Sequence, residues 1–179
     1  MQQKLQGQIR NLSHTFQKGG KMATDEKKKE NMLRMTQISL TALTTSVWDA
    51  LGESSFALTT LMGDRILEMF EKEMGLEIAG ESTEAVIREI QRIFVDEFGY
   101  AQGITTTMLD GGNKIELRVS GCVNRLFTNK LLAAGVQKPY ICPIMNATVA
   151  ALRRMGYKVR NDIQPWSEQS GSIITLTKV

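Results

Sequence analysis

Apolar residues recur at steps of three and four from Met32 to about Met74, and they fall into two stretches that predict two helices. The first carries Ile38, Leu40, Leu43, Val47, Trp48 and Leu51. The second carries Phe56, Leu58, Leu61, Met62, Ile66, Met69, Phe70 and Met74, and Gly52 separates them. Because the second is apolar around much of its circumference, it is expected to be buried on more than one side, in the core or against another subunit. A third helix is predicted from a Ser82 or Thr83 cap to about Phe98, with Val86, Ile87, Ile90, Ile93, Phe94 and Phe98 on one face and Gly99 ending it.

The period then changes to two. ITTTML and KIELRVS flank Asp110-Gly111-Gly112-Asn113, whose residues tolerate positive φ, so this segment predicts a β-hairpin. Ile115, Leu117 and Val119 point one way and Glu116, Arg118 and Ser120 the other, so one sheet face meets helices and the other meets solvent or a partner. A short helix through Leu126, Phe127, Leu131 and Leu132 stops at Gly135. Another runs from Pro143 to about Met155, with Arg153 and Arg154 complementing the dipole in its last turn. YKVRNDI and GSIITLTKV form a closing strand pair around Gln164 to Ser170. Helices, hairpin, helices and hairpin in that order predict an α+β domain in which N-terminal helices pack on an antiparallel sheet built from two hairpins.

Residues 1–35 are polar and read as a helical arm or flexible appendage to a single domain at 36–179. Leu5, Ile9, Leu12 and Phe16 make a narrow helical seam, which suits either a dimerisation arm that docks a protein partner or a frayed terminus. The 179 residues can bury a core without disulfides or metal. The 42% apolar and 23% charged residues are those of a globular protein, and no window approaches the roughly 18 apolar residues of a transmembrane segment. MQQKLQGQIR lacks the apolar stretch of a signal peptide, and two cysteines form no disulfide framework, so a cytoplasmic location is expected. The net charge of +3 is scattered apart from Lys27, Lys28 and Lys29, which gives no basis for nucleic-acid binding. Ten methionines suit a pliable pocket or simply a Met-rich core.

The candidate chemistry centres on the cysteines. Cys122 follows a strand, and Cys142 precedes Pro143 at a predicted helix start, where the dipole and free amides lower a thiol pKa. The alternative is that both are small buried hydrophobes. Their separation matches no compact zinc spacing, which leaves the metal and cofactor question open. His14 is the single histidine, so a Cys-His or Ser-His-Asp system would need it from the arm or from a second subunit. No GxxxxGK[ST], GxGxxG or HExxH pattern occurs. Arg118 and Arg125 flank Cys122 and are candidates to hold a carboxylate or a thiolate. Trp166 suits a lid, an interface anchor or core packing.

The stretch GVQKPYICPIMNATVAALRRMGYKV with the terminal GSIITLTKV resembles the 4-vinyl reductase domain family. So do WDALGESSFALTTLMGDRILEMFEKEMGL, with its Gly63, and IREIQRIFVDEFGYAQGITTTMLDGGNKIELRVSGCV. The similarity covers roughly residues 45 to 179. It implies a fold related to core subunits of the TRAPP vesicle-tethering complex, usually dimeric, that often binds small hydrophobic molecules or supports tetrapyrrole-related metabolism. Cys122 and Cys142 match positions where that family often has cysteines, whereas RNDIQPWSEQSGSIITL lacks the further cysteines it commonly places there. The expected function is a homodimeric domain that binds or senses a small hydrophobic molecule, with a site drawn from Met62, Ile66, Phe70, Phe94, Cys122, Arg125, Cys142 and Trp166. The alternatives are an assembly or tethering subunit and a Cys-dependent enzyme or cofactor-binding subunit.

Overall fold

A computed structural model describes residues 23–179, so the Leu5–Phe16 seam lies outside the described residues. Contacts divide the chain into a short unit ending at Thr36 and a larger one, Gln37–Val179. Helix α1 (Asp25–Leu51) starts with both acidic residues of its first turn, Asp25 and Glu26, at the positive end of its dipole. A 3-10 segment, Gly52–Ala57, leads into α2 (Leu58–Met74). Helix α3 (Thr83–Gln91) begins as its sequence predicts: the Ser82 hydroxyl accepts the Ala85 N–H at 3.2 Å. It continues as a π-helical turn, Arg92–Glu97, before Gly99.

Strands β1 (Gly103–Leu109) and β2 (Lys114–Ser120) form the first hairpin. Asp110, Gly111 and Gly112 in its turn have φ of 51°, 65° and 90°, a run of left-handed residues that two consecutive glycines make inexpensive. After α4 (Arg125–Ala133) and α5 (Pro143–Arg154), strands β3 (Val159–Trp166) and β4 (Gly171–Lys178) form the second hairpin. The sheet order is β1-β2-β4-β3, all antiparallel, with β4 joining the two hairpins. The α+β architecture is therefore as the alternation of periods predicts.

Register places Thr106, Leu117, Ile174 and Ile163 in one row across the sheet. Ile115, Leu117 and Val119 are buried on the helix-facing side with Ile174 and Leu176, while Arg118 is exposed on the other. The main core adds Leu67, Val86, Ile90, Phe94 and Ile144. Helices α2 and α5 approach closely because position 63 is glycine: a Cβ there would lie 2.4 Å from the Asn146 carbonyl oxygen. Ion pairs Arg153–Asp64 and Arg154–Glu71 flank this crossing. A second cluster holds Phe127, Leu131, Val136 and Tyr140, with Leu40, Trp48, Phe56 and Ile141 against it. Among the described residues no helix is long and apolar enough to cross a membrane.

Candidate functional site

An apolar groove of about 350 Å³ opens between α1 and α2. Leu40, Leu43, Thr44 and Val47 come from α1, Leu58, Leu61, Met62 and Arg65 from α2, and Tyr140 and Ile141 close it behind. Steps of three and four put each helix's contributors on one face. Leu43 and Leu61 are each 62% exposed, so the groove walls are open to solvent. Arg65 is the one charged residue in the lining, and it pairs with Glu68 at 2.6 Å.

Tyr140 fixes this geometry. Its hydroxyl donates to the Thr44 carbonyl at 3.0 Å, and its ring lies 6.3 Å from Trp48 and 5.9 Å from Phe56, which are themselves 5.6 Å apart. Burial raises the phenol pKa, so it remains a donor. Its carbonyl accepts from Asn146 Nδ2 at 3.3 Å. On its other side lies a more polar cavity of about 420 Å³ lined by Glu53, Lys138, Asn161 and Asp162 among others.

The eight residues singled out from the sequence divide among several places. Met62 lines the groove. Ile66 and Phe70 pack against the main core, where Phe94 is buried and stands 5.7 Å from Phe70. Packed side chains occupy the space between α2, α3 and the sheet. Phe94 also contacts Tyr100, ring to ring at 5.7 Å, and Tyr100 lies within electrostatic reach of Cys122 and Cys142. Both cysteines are free and half-buried at the core edge. Arg125 donates to the Gly171 carbonyl at 3.3 Å, while Trp166 ends β3 with the Arg118 guanidinium 5.9 Å from its ring centre. Arg118 itself is engaged by Glu116 at 2.7 Å.

The thiols correct one expectation. Cys142 does sit at the N-cap of α5, and the Met145 and Ile144 amides favour its thiolate, but burial outweighs them and pushes the thiol up to about 12. Cys122 is also raised, by burial, against smaller opposing effects from the Asn124 amide and the Arg125 charge. A dipole effect holds when a helix end faces water, and here the desolvation cost of the charged form is larger. Among the described residues no cluster of three His, Cys, Asp or Glu could hold a metal.

Sequence reasoning did not select Leu40, Leu43, Val47, Leu58, Leu61, Tyr140 or Ile141 as site residues. The available signal was the apolar circumference of α2: one face packs on α5, but the expected burial on a second side is not met among the described residues, where Leu61, Met69 and Met74 are each more than half exposed.

The fold and the groove define the class: an α+β domain with helices on one face of a four-stranded antiparallel sheet and an apolar groove between its first two long helices. The chain belongs to the family described as "Putative rubredoxin C-terminal domain", whose model matches residues 32–179. No curated protein matches. Among solved structures, the chain is similar to a trafficking protein particle complex subunit 3 from Naegleria fowleri covalently bound to palmitic acid. That match has a TM-score of 0.54 at 16% identity and covers 86% of this chain and 96% of the other. A likeness at that identity establishes the shared TRAPP-like fold. A tetrahedral four-thiolate iron site needs four cysteines, and this chain has two, so the family's name carries no such centre onto it.

Proposed function

We propose that this chain is a regulatory, homodimeric domain of the cytoplasm that binds a long hydrophobic molecule carrying an acidic head, such as a fatty acid, in the groove between α1 and α2. The observation that carries this reading is the groove, where seven aliphatic side chains or thioethers surround about 350 Å³ with one cation, Arg65, which a ligand carboxylate would share with Glu68. About ten buried methylenes at roughly 0.8 kcal/mol each yield about 8 kcal/mol, from which immobilisation costs of several kcal/mol are subtracted, so binding weaker than micromolar is expected from apolar burial alone. The palmitic acid named for the similar TRAPP subunit supports the ligand class. Binding here is non-covalent: neither Cys122 nor Cys142 lines the groove, and burial holds both thiols protonated. The two free cysteines suit a reducing compartment. Residues 36–179 form the binding domain in this reading, the relationship to 4-vinyl reductase domains is part of it, and residues 1–35 serve a protein partner.

A second reading, an assembly or tethering subunit, is favoured by Leu51, Met69 and Met74, which are all more than half exposed outside the groove. A Cys-dependent enzyme has the least support, because both thiols are held away from the reactive form.

Native mass spectrometry of the freshly purified chain, with displacement of a fluorescent fatty acid, tests the proposal. The expected result is a bound lipid mass and a loss of affinity of roughly tenfold or more in Leu61→Glu, whose side chain is 62% exposed, with circular dichroism to check that the variant is folded. Unchanged affinity in that variant overturns the groove as the site. A retained protein partner without lipid supports the second reading instead.

A further inference from the structure

The polar cavity on the other side of Tyr140 measures about 420 Å³, which falls in the range of roughly 300–1,000 Å³ typical of small-molecule sites. Phe56 of the 3-10 segment, Met145 and Val149 of α5 and Ile163 of β3 supply its apolar walls. Met145 and Val149 stand four residues apart, on one face of their helix. Met145 and Ile163 also belong to the buried core, so this side of the cavity is held by packed structure.

The polar groups around these walls are under-used. Thr36, Thr41, Thr44 and Thr45 of α1 and Thr148 of α5 each donate the hydroxyl to the carbonyl four residues back, the ordinary bond of a helical threonine. Thr59 and Thr60, which line the cavity from α2, make no such bond among the described residues. The Asn161 amide donates to the Met145 sulfur at 3.1 Å, a weak acceptor in place of a strong one. Strand β3 is an edge of the sheet, and both of its faces contribute to the lining: Asn161 and Ile163 from the helix side, Asp162 from the other. The cavity therefore runs along the free edge, where the β3 backbone groups that do not bond β4 are available to a ligand.

Charge decides what kind of ligand fits. Lys138 and Asp162 neutralise each other at 2.9 Å, whereas Glu53, the third charged residue in the lining, is exposed and has no ion-pair partner among the described residues. One uncompensated carboxylate thus stands in the same lining as two aromatic rings, those of Phe56 and Tyr140. Both features attract a cation, and an anion would meet two carboxylates.

We propose that this cavity is a second binding site, one that takes a small organic ammonium ion with an apolar body. The ammonium sits at Glu53 and donates its remaining protons to the idle threonine hydroxyls or the free carbonyls of β3. The body lies against Phe56, Met145, Val149 and Ile163. The two cavities share Tyr140 but select opposite charge, since the groove between α1 and α2 carries Arg65. This assignment stands apart from the fatty-acid reading of that groove.

Isothermal titration calorimetry of the full chain with three probes of similar size tests it: phenethylammonium, phenethyl alcohol and hydrocinnamate. The ammonium is expected to bind roughly tenfold or more tighter than the alcohol, and the carboxylate to bind worst. Glu53→Gln, checked for folding by circular dichroism, is expected to lower the ammonium's affinity roughly tenfold and to leave the alcohol's unchanged. Glu53 lies outside the groove, so fatty-acid affinity is expected to stay at the wild-type value in this variant. Absence of saturable ammonium binding, a carboxylate that binds as well as the ammonium, or an ammonium indifferent to Glu53→Gln overturns the site. Parallel loss of ammonium and fatty-acid binding also overturns it, because Glu53 would then act on the fold and not on the ligand. A wild type that takes the ammonium but no fatty acid sinks the groove reading and leaves this site standing.

Discussion

Replacing Gly63 by Ala isolates the contact that brings α2 against α5. The added Cβ would lie 2.4 Å from the Asn146 carbonyl oxygen and 3.0 Å from the Ala150 Cβ, about 1 Å inside ordinary contact at the first. The obstructing oxygen belongs to a helix backbone and cannot rotate away, so the helices must part. Parting them strains the Arg153–Asp64 and Arg154–Glu71 pairs that flank the crossing. Overpacking of this kind costs about 1–3 kcal/mol or more, whereas alanine in place of glycine within a helix returns about 1 kcal/mol. Because the 2.4 Å contact is with backbone, the upper end of that cost applies, and about 3 less about 1 leaves an expected net loss of about 2 kcal/mol, read by urea denaturation followed by circular dichroism, with a lower midpoint and an unchanged slope. Because α2 also supplies Leu58, Leu61 and Met62 to the groove, fatty-acid affinity should fall with it. Equal or greater stability in Gly63→Ala would refute the claim that this glycine sets the helix separation.

Tyr140→Phe removes the hydrogen bond to the Thr44 carbonyl while keeping the ring contacts with Trp48 and Phe56, so a loss of about 1 kcal/mol is expected in thermal or urea melts; a loss near that of a truncated aromatic would show that the ring is disturbed as well. Iodoacetamide should label native Cys142 far more slowly at pH 8 than the same residue in denatured protein, since its thiol is pushed up to about 12, and equal rates would contradict its burial. The same shift predicts a pH dependence. Between the unperturbed value of 9.0 and about 12 the unfolded chain has released the proton and the folded one retains it. The thiol's contribution to stability is therefore complete below pH 9 and is lost as pH rises through that window, and Cys142→Ala should flatten this limb of the curve.

Much of the fold is legible in the sequence because its determinants are local. The change of period from 3.6 to 2 marks the helices and both hairpins, Ser82 marks the start of α3, and the positive-φ run at Asp110-Gly111-Gly112 marks the first turn. The helix at Cys142-Pro143 is equally readable, since proline at the first position suits a helix start. Its thiol chemistry is not readable, because the local dipole competes with a desolvation that depends on the packing around it. Tyr140 shows the same limit: it sits in a loop between elements, and only the fold brings Thr44, Trp48 and Phe56 around it.

The sequence by itself determined the kinds and order of the elements, the core-facing side of β2, and the lack of the common phosphate-binding and triad motifs, all of which follow from neighbours a few residues apart. Tertiary structure decided the strand order β1-β2-β4-β3, which leaves β1 and β3 as the edges. It also decided the divergence of α1 and α2 that opens an apolar groove, and the burial that quiets the two thiols. Each of these depends on which surfaces meet across many tens of residues. Periodicity reports which face of an element is apolar, but it does not report what that face is pressed against.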